Sequence, residues 1–135
     1  MNKALGKMRK IARLTKKDAL RAYAAMWNTL DVSKLEPFLA DDFRYVSQVS
    51  FTDIESKQQF LEYLAATLQA TGSSVWAEMG CLDEDFPFGP CVVVAQGGRR
   101  VGLVLAEVRN GMIRELSWCI IPPPESARRT GEYPQ

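Results

Sequence analysis

The sequence predicts an α+β domain, with helices laid on one face of a curved antiparallel sheet. Three observations carry this. Apolar residues recur at helical spacing early in the chain, over residues 16–30 and again between Ser56 and Gly72. Strand-like runs fill residues 74–121. Two dipeptides, Gly97-Gly98 and Asn110-Gly111, are tight hairpin signals that fold those runs into a meander. At 135 residues the chain can close one core.

Each element has a local reason. Thr15 with Asp18 reads as a capping box. Behind it Leu20, Tyr23, Trp27 and Leu30 form an apolar stripe, with Lys16, Lys17 and Arg21 on the other side. Asp31 or Ser33 starts a second, short helix carrying Leu35, Phe38 and Leu39, in which Pro37 is tolerated near the start. Residues 43–49 change period, so Phe43, Tyr45 and Ser47 share one face of a short strand. Ser56 with Gln59 is a second capping signal, and Phe60, Leu61, Leu64 and Leu68 build the helix that Gly72 ends. Strands follow over residues 74–82, 91–96, 100–109 and 112–121, with a long turn-rich loop at 83–90. Prolines 122 to 124 stop the last strand. The boundaries expected are a basic extension over 1–14, the domain over 15–122, and a polar, mobile tail over 123–135.

Composition narrows the chemistry. The hydrophobic fraction is 47%, the charged fraction 24% and the net charge +1, as in a globular protein without a global steer toward nucleic acid or membrane. The chain contains no histidine, so Ser-His-Asp and Cys-His sites within it are impossible, and no CxxC pair replaces a histidine zinc site. No metal and no cofactor are expected. Cys81, Cys91 and Cys119 read as reduced, buried thiols of a cytoplasmic protein. The basic segment with Lys3, Lys7, Arg9, Lys10 and Arg13 lacks the apolar core of a signal peptide and reads as a solvated extension.

The order helix, short helix, strand, helix, four strands resembles the nuclear transport factor 2-like superfamily, in its SnoaL-like and ketosteroid isomerase-like branches. The stretches "AYAAMWNTLDVSKLEPFLADDFRY", "SKQQFLEYL" and "EVRNGMIRELSW" carry the resemblance, which covers most of residues 16–121. It implies a cone-shaped curved sheet closed by helices, an internal apolar pocket, and a homodimer through the outer sheet face. The apolar content of both faces of CVVVA and VGLVLAEV independently motivates such a dimer. Isomerase-like members carry a catalytic acid inside the first strand, at the position that reads here as Ser47. SnoaL-like members often place an acid near the end of the last strand, where this chain has Ser117, Trp118, Cys119, Ile120 and Ile121. Tyr23, eight residues before Asp31, matches the oxyanion-binding tyrosine of isomerase-like members.

The candidate residues divide accordingly. Asp41 and Asp42, between a helix end and a strand start, are expected to shape a turn rather than to catalyse. Tyr23 is either a hydrogen-bond donor to ligand or a core aromatic. Glu78 and Glu107 act as acid or base only if they face inward; otherwise they face solvent or pair across the sheet with arginine. Arg99 and Arg100 at a hairpin tip read as solvated. The expected pocket wall is Tyr23, Trp27, Phe43, Tyr45, Ser47, Phe60, Leu64, Trp76, Leu116 and Trp118. It would take a small apolar molecule carrying a carbonyl or hydroxyl, and any reaction there would be a cofactor-independent isomerisation, cyclisation or hydration. The alternative is a non-catalytic dimerisation or partner-binding module with a filled interior. A cavity of a few hundred Å3 separates the two.

Overall fold

The computed structural model describes residues 14–50, 53–82 and 89–135. The basic N-terminal segment through Arg13 and most of the 83–90 loop lie outside the described residues. The chain forms helix α1 (Lys16–Thr29), two short 3-10 turns, strand β1 (Leu39–Ser47), helix α2 (Lys57–Thr71), and strands β2 (Val75–Cys81), β3 (Pro90–Gln96), β4 (Arg99–Arg109), β5 (Met112–Cys119) and β6 (Arg128–Arg129). They make one curled six-stranded sheet in the order β1-β5-β4-β3-β2-β6. The meander β2 to β5 is antiparallel, as its hairpin signals require. Gly97, Gly98, Asn110 and Gly111 all take positive φ, the backbone of two-residue hairpin turns. One correction concerns β1, which pairs with β5 in parallel, so the sheet is mixed.

Capping sets the helices. Thr15 and Asp18 exchange reciprocal side chain–backbone hydrogen bonds of 3.1 Å at the start of α1. At α2 the Ser56 hydroxyl accepts from the Gln59 N–H at 3.3 Å. The inner sheet face presents Val75, Ala77, Met79, Val92, Val94, Val104, Ile113 and Leu116. Against it pack Leu20, Tyr23, Ala24 and Trp27 of α1 and Phe60 and Leu64 of α2. This is the main core.

The short helix expected after Asp31 is only two 3-10 turns, Val32–Lys34 and Glu36–Phe38, and Leu39 already belongs to β1. The strand therefore starts earlier than its alternation suggests, because its register with β5 is irregular between Leu39 and Arg44. Asp41 and Asp42 consequently sit within the strand rather than in a turn, both exposed. Asp42 lies 2.9 Å from the Arg114 Nε, and the Arg114 Nη1 donates to the Asp42 carbonyl at 2.8 Å. Asp42 thus holds an edge strand to its neighbour.

The largest correction concerns the polar tail. From Cys119 the chain crosses the outer sheet face, packs the turn Pro124–Ser126 against β4, and adds β6 to the free edge of β2. Ala127 joins Leu82, Cys91, Val93, Leu103 and Cys119 in a second apolar cluster on that face. The apolar outer face that motivated a dimer thus has a cover within one chain. A Cβ on Gly80 would stand 3.2 Å from the Arg128 carbonyl, so this glycine admits the strap to the edge. Beyond β6, Met79 exchanges backbone hydrogen bonds with Thr130 and Glu132, and the Asn28 amide bridges Ala77 to Pro134. Arg21 of α1 holds Glu132 at 2.7 Å.

Glu78 anchors the strap. It is 5% exposed, and its carboxylate accepts from the Arg129 Nε at 2.6 Å, the Tyr133 hydroxyl at 2.8 Å and the Gly131 N–H at 2.9 Å. Burial alone raises a carboxyl pKa; here the hydrogen bonds from Tyr133, Arg129 and Gly131 outweigh it and hold Glu78 below its ordinary value.

Two predictions follow from these pairings. Asp42→Asn removes a half-exposed surface ion pair and should cost less than about 1 kcal/mol in a denaturant titration. Glu78→Gln should cost about 2 kcal/mol at neutral pH, because it turns one of the two accepting oxygens into an NH2 that faces a donor and removes the charge that pairs with Arg129. The folded Glu78 binds its proton more weakly than the unfolded one, so its contribution is present above the unfolded pKa, near 4.5, and fades as pH falls through the lower folded value. Melting curves of both proteins from neutral to acid pH should therefore converge.

Candidate ligand-binding site

A cavity of about 270 Å3 lies between the inner sheet face and the helices. Trp27 of α1, Tyr45 and Ser47 of β1, and Trp118 of β5 line it. The turn after β1 adds Val49 and Ser50, and α2 adds Tyr63, Thr67 and Thr71. Val75, Val94, Gln96 and Val101 complete the wall from β2, β3 and β4. Val49 and Tyr63 are exposed as well as lining, and so mark its mouth.

The geometry is built by aromatic packing. Phe43, Phe60, Tyr45 and Tyr63 form a column between β1 and α2, with successive ring centroids 4.7 Å (Phe43 to Phe60), 5.0 Å (Phe60 to Tyr45) and 5.8 Å (Tyr45 to Tyr63) apart. Its buried end is core, and its outer end supplies the two phenols of the cavity. On the opposite wall Trp118 lies flat on the sheet because Gly102 lacks a side chain. A Cβ there would stand 2.6 Å from the indole ring.

The lining carries no charged side chain among the described residues. Its polar groups are hydroxyls and one amide. Burial, then the neighbouring phenols of Tyr23 and Tyr63, push Tyr45 well above the ordinary tyrosine value, and burial does the same to Tyr23. Both are therefore held as protonated donors. The Ser47 hydroxyl accepts from the N–H groups of Val49 and Ser50, each at 3.2 Å, which leaves its proton to donate. Thr67 and Thr71 donate to the carbonyls four residues back, which leaves their oxygens to accept. The Trp27 indole N–H is buried behind the wall, with the Tyr23 hydroxyl as its polar neighbour.

Of the residues expected in the pocket, Trp27, Tyr45, Ser47 and Trp118 share one cavity. Tyr23, Phe43, Phe60, Leu64 and Leu116 lie behind them in the core and do not line it. Tyr23 is only 2% exposed, on the buried stripe of α1. Trp76 is on the other side of the sheet and half exposed. Glu78 shares that outer side with Trp76, spent on the strap. Glu107 is exposed and paired with Arg109 at 3.4 Å. Neither glutamate reaches the cavity. Sequence reasoning passed over Tyr63, Thr67 and Thr71, although their spacing of four draws a polar stripe along α2 beside Phe60 and Leu64.

No family model matches the chain, and no curated protein matches it in sequence. Solved structures match it in fold. A nuclear transport factor 2-like protein of unknown function from Cytophaga hutchinsonii aligns with a TM-score of 0.57 at 13% identity, over 82% of this chain and 95% of its own. A proposed polyketide cyclase from Sinorhizobium meliloti aligns at 0.58 and 18% identity, over 76% and 94%. A proposed ketosteroid isomerase from Kribbella flavida aligns at 0.57 and 22% identity, over 77% of each chain. With its helix-closed, curled sheet, this chain has the nuclear transport factor 2-like fold.

Proposed function

We propose that the inner cavity binds a small, neutral, mostly apolar molecule carrying a carbonyl or hydroxyl. The observation that carries this is the lining: hydroxyls, one amide and aromatic walls, with no charged side chain among the described residues. A charged ligand would lose its hydration there without a counter-ion. A carbonyl oxygen would accept from the Tyr45 hydroxyl, and a hydroxyl could also donate to Thr67 or Thr71. The volume suits a compact ligand, and a filled interior, which a pure interaction module would have, is not what the lining describes.

The cavity offers donors that can polarise a carbonyl but, among the described residues, no carboxylate that could take a proton near neutral pH. Isomerisation, cyclisation or hydration would need a base supplied by the substrate or by water. The proposed cyclase and isomerase among the fold neighbours make such substrates the first to test.

Calorimetry with a panel of neutral cyclic ketones and alcohols tests the proposal. At least one should bind saturably, and Tyr45→Phe should weaken a ketone by about tenfold through one lost hydrogen bond to a buried acceptor. Gly102→Val should abolish binding, because it drives the Trp118 indole into the cavity. Affinity should stay flat from about pH 5 to about pH 9, since burial keeps Tyr45 protonated and the lining holds no carboxylate among the described residues. Binding that survives Gly102→Val in a folded protein would place the ligand elsewhere.

A further inference from the structure

The pair β2–β3 walls a second cavity, on the outer sheet face. Side chains alternate, so Val75, Val94 and Gln96 face the inner cavity while Trp76, Glu78, Val93 and Ala95 face the outer one. Register sets the floor, with Trp76 opposite Ala95 and Glu78 opposite Val93. The volume is about 190 Å3. Tyr133 of the strap closes one side, its ring centroid 5.5 Å from that of Trp76.

The charges do not cancel. Arg129 and Glu78 satisfy each other, and both Glu78 oxygens are already occupied by donors. Arg100, which faces outward opposite Ala95, also lines the cavity and has no ion-pair or hydrogen-bond partner among the described residues. One unmatched guanidinium therefore stands beside a half-exposed indole over an apolar floor.

We propose that this outer cavity is a binding site for a small aromatic carboxylate. The guanidinium of Arg100 would take the carboxylate through paired N–H donors, which a neutral amide cannot match. The ring would lie against Trp76 over Val93 and Ala95, contacts that suit a flat apolar body. The volume admits one ring with a short acidic arm, and excludes a polymer.

Benzoate is the probe, titrated into the full chain by calorimetry and followed by tryptophan fluorescence. One saturable site is expected, with benzamide binding at least about tenfold more weakly. Arg100→Gln should lose about tenfold in benzoate affinity, whereas Arg109→Gln, an arginine at the other hairpin, should stay within about twofold. Trp76→Leu should weaken benzoate and abolish the fluorescence change. Absence of saturation in the wild type overturns the site, as does equal binding of benzamide and benzoate, or Arg100→Gln binding within twofold of wild type. Should Arg100→Gln fail to fold, the benzoate–benzamide comparison in the wild type still decides. Benzamide is also a neutral carbonyl compound that the inner cavity could take, so the comparison is read on the fluorescence change that Trp76→Leu removes, which reports the outer cavity and separates failure of this site from failure of the inner one.

Discussion

The buried carboxylate of Glu78 is the constraint on which the sheet depends. Strands β2 and β3 carry apolar side chains on both faces, with Glu78 the acid among them, and an apolar face left in water forfeits about 25 cal/mol for each Å2 that could be buried. The helices cover the inner face, and the chain's own C-terminal segment covers much of the outer one. A segment as polar as that one cannot be held by hydrophobic burial alone. Glu78 holds it through three donors that all belong to the strap, from Arg129, Gly131 and Tyr133. The same strap closes the β2 edge, whose unpaired backbone groups would otherwise be open to another strand. Edge protection, outer-face burial and a charge-neutral buried acid are thus one arrangement.

The inner cavity depends on absence as much as on packing. A sheet face of ordinary valines would be filled by Trp118. Gly102 lets that indole lie against the backbone, and the space above it stays open. On the facing wall the column from Phe43 to Tyr63 changes from phenylalanine in the core to tyrosine at the cavity. The aromatic packing is continuous while its polarity changes along its length. Burial then raises the phenol of Tyr45, so the hydroxyl that could meet a ligand is a donor over the physiological range.

Local periodicity made the helices, the meander and the shared face of Tyr45 and Ser47 legible in the sequence, because each depends on residues a few positions apart. Four cavity residues follow from it, Trp27 from the helical stripe and Tyr45, Ser47 and Trp118 from strand alternation. What stayed hidden depends on distant partners. Alternation says that Trp76 and Glu78 share a face, but with both faces apolar it does not say which. The strap reads as a solvated tail because Tyr133 meets Glu78 across 55 residues, and no local pattern distinguishes a polar group with a remote partner from one in water. The parallel pairing of β1 is hidden for the same reason, since β1 lies far from β5 in the chain and joins it only at the end of the sheet. Tyr23 matched a family position and a buried stripe at once, and its own burial puts it behind Trp27 and Tyr45 rather than beside a ligand.

Ser47 decides what chemistry the inner site can support. A carboxylate there would face the cavity, because Ser47 lines it on the same side as Tyr45. It would lie close to the Tyr45 phenol, in an environment whose burial raises acid pKa values, as a general base tuned upward requires. Serine instead spends its oxygen on the backbone of the turn, accepting from Val49 and Ser50. That turn shapes the cavity mouth. The position therefore contributes geometry and one donated proton where a carboxylate would contribute proton abstraction. With Tyr45 also a donor, and no carboxylate in the lining among the described residues, the cavity can stabilise negative charge on a ligand oxygen but does not create it. Under the proposed function, this asymmetry favours holding a carbonyl compound over transforming it.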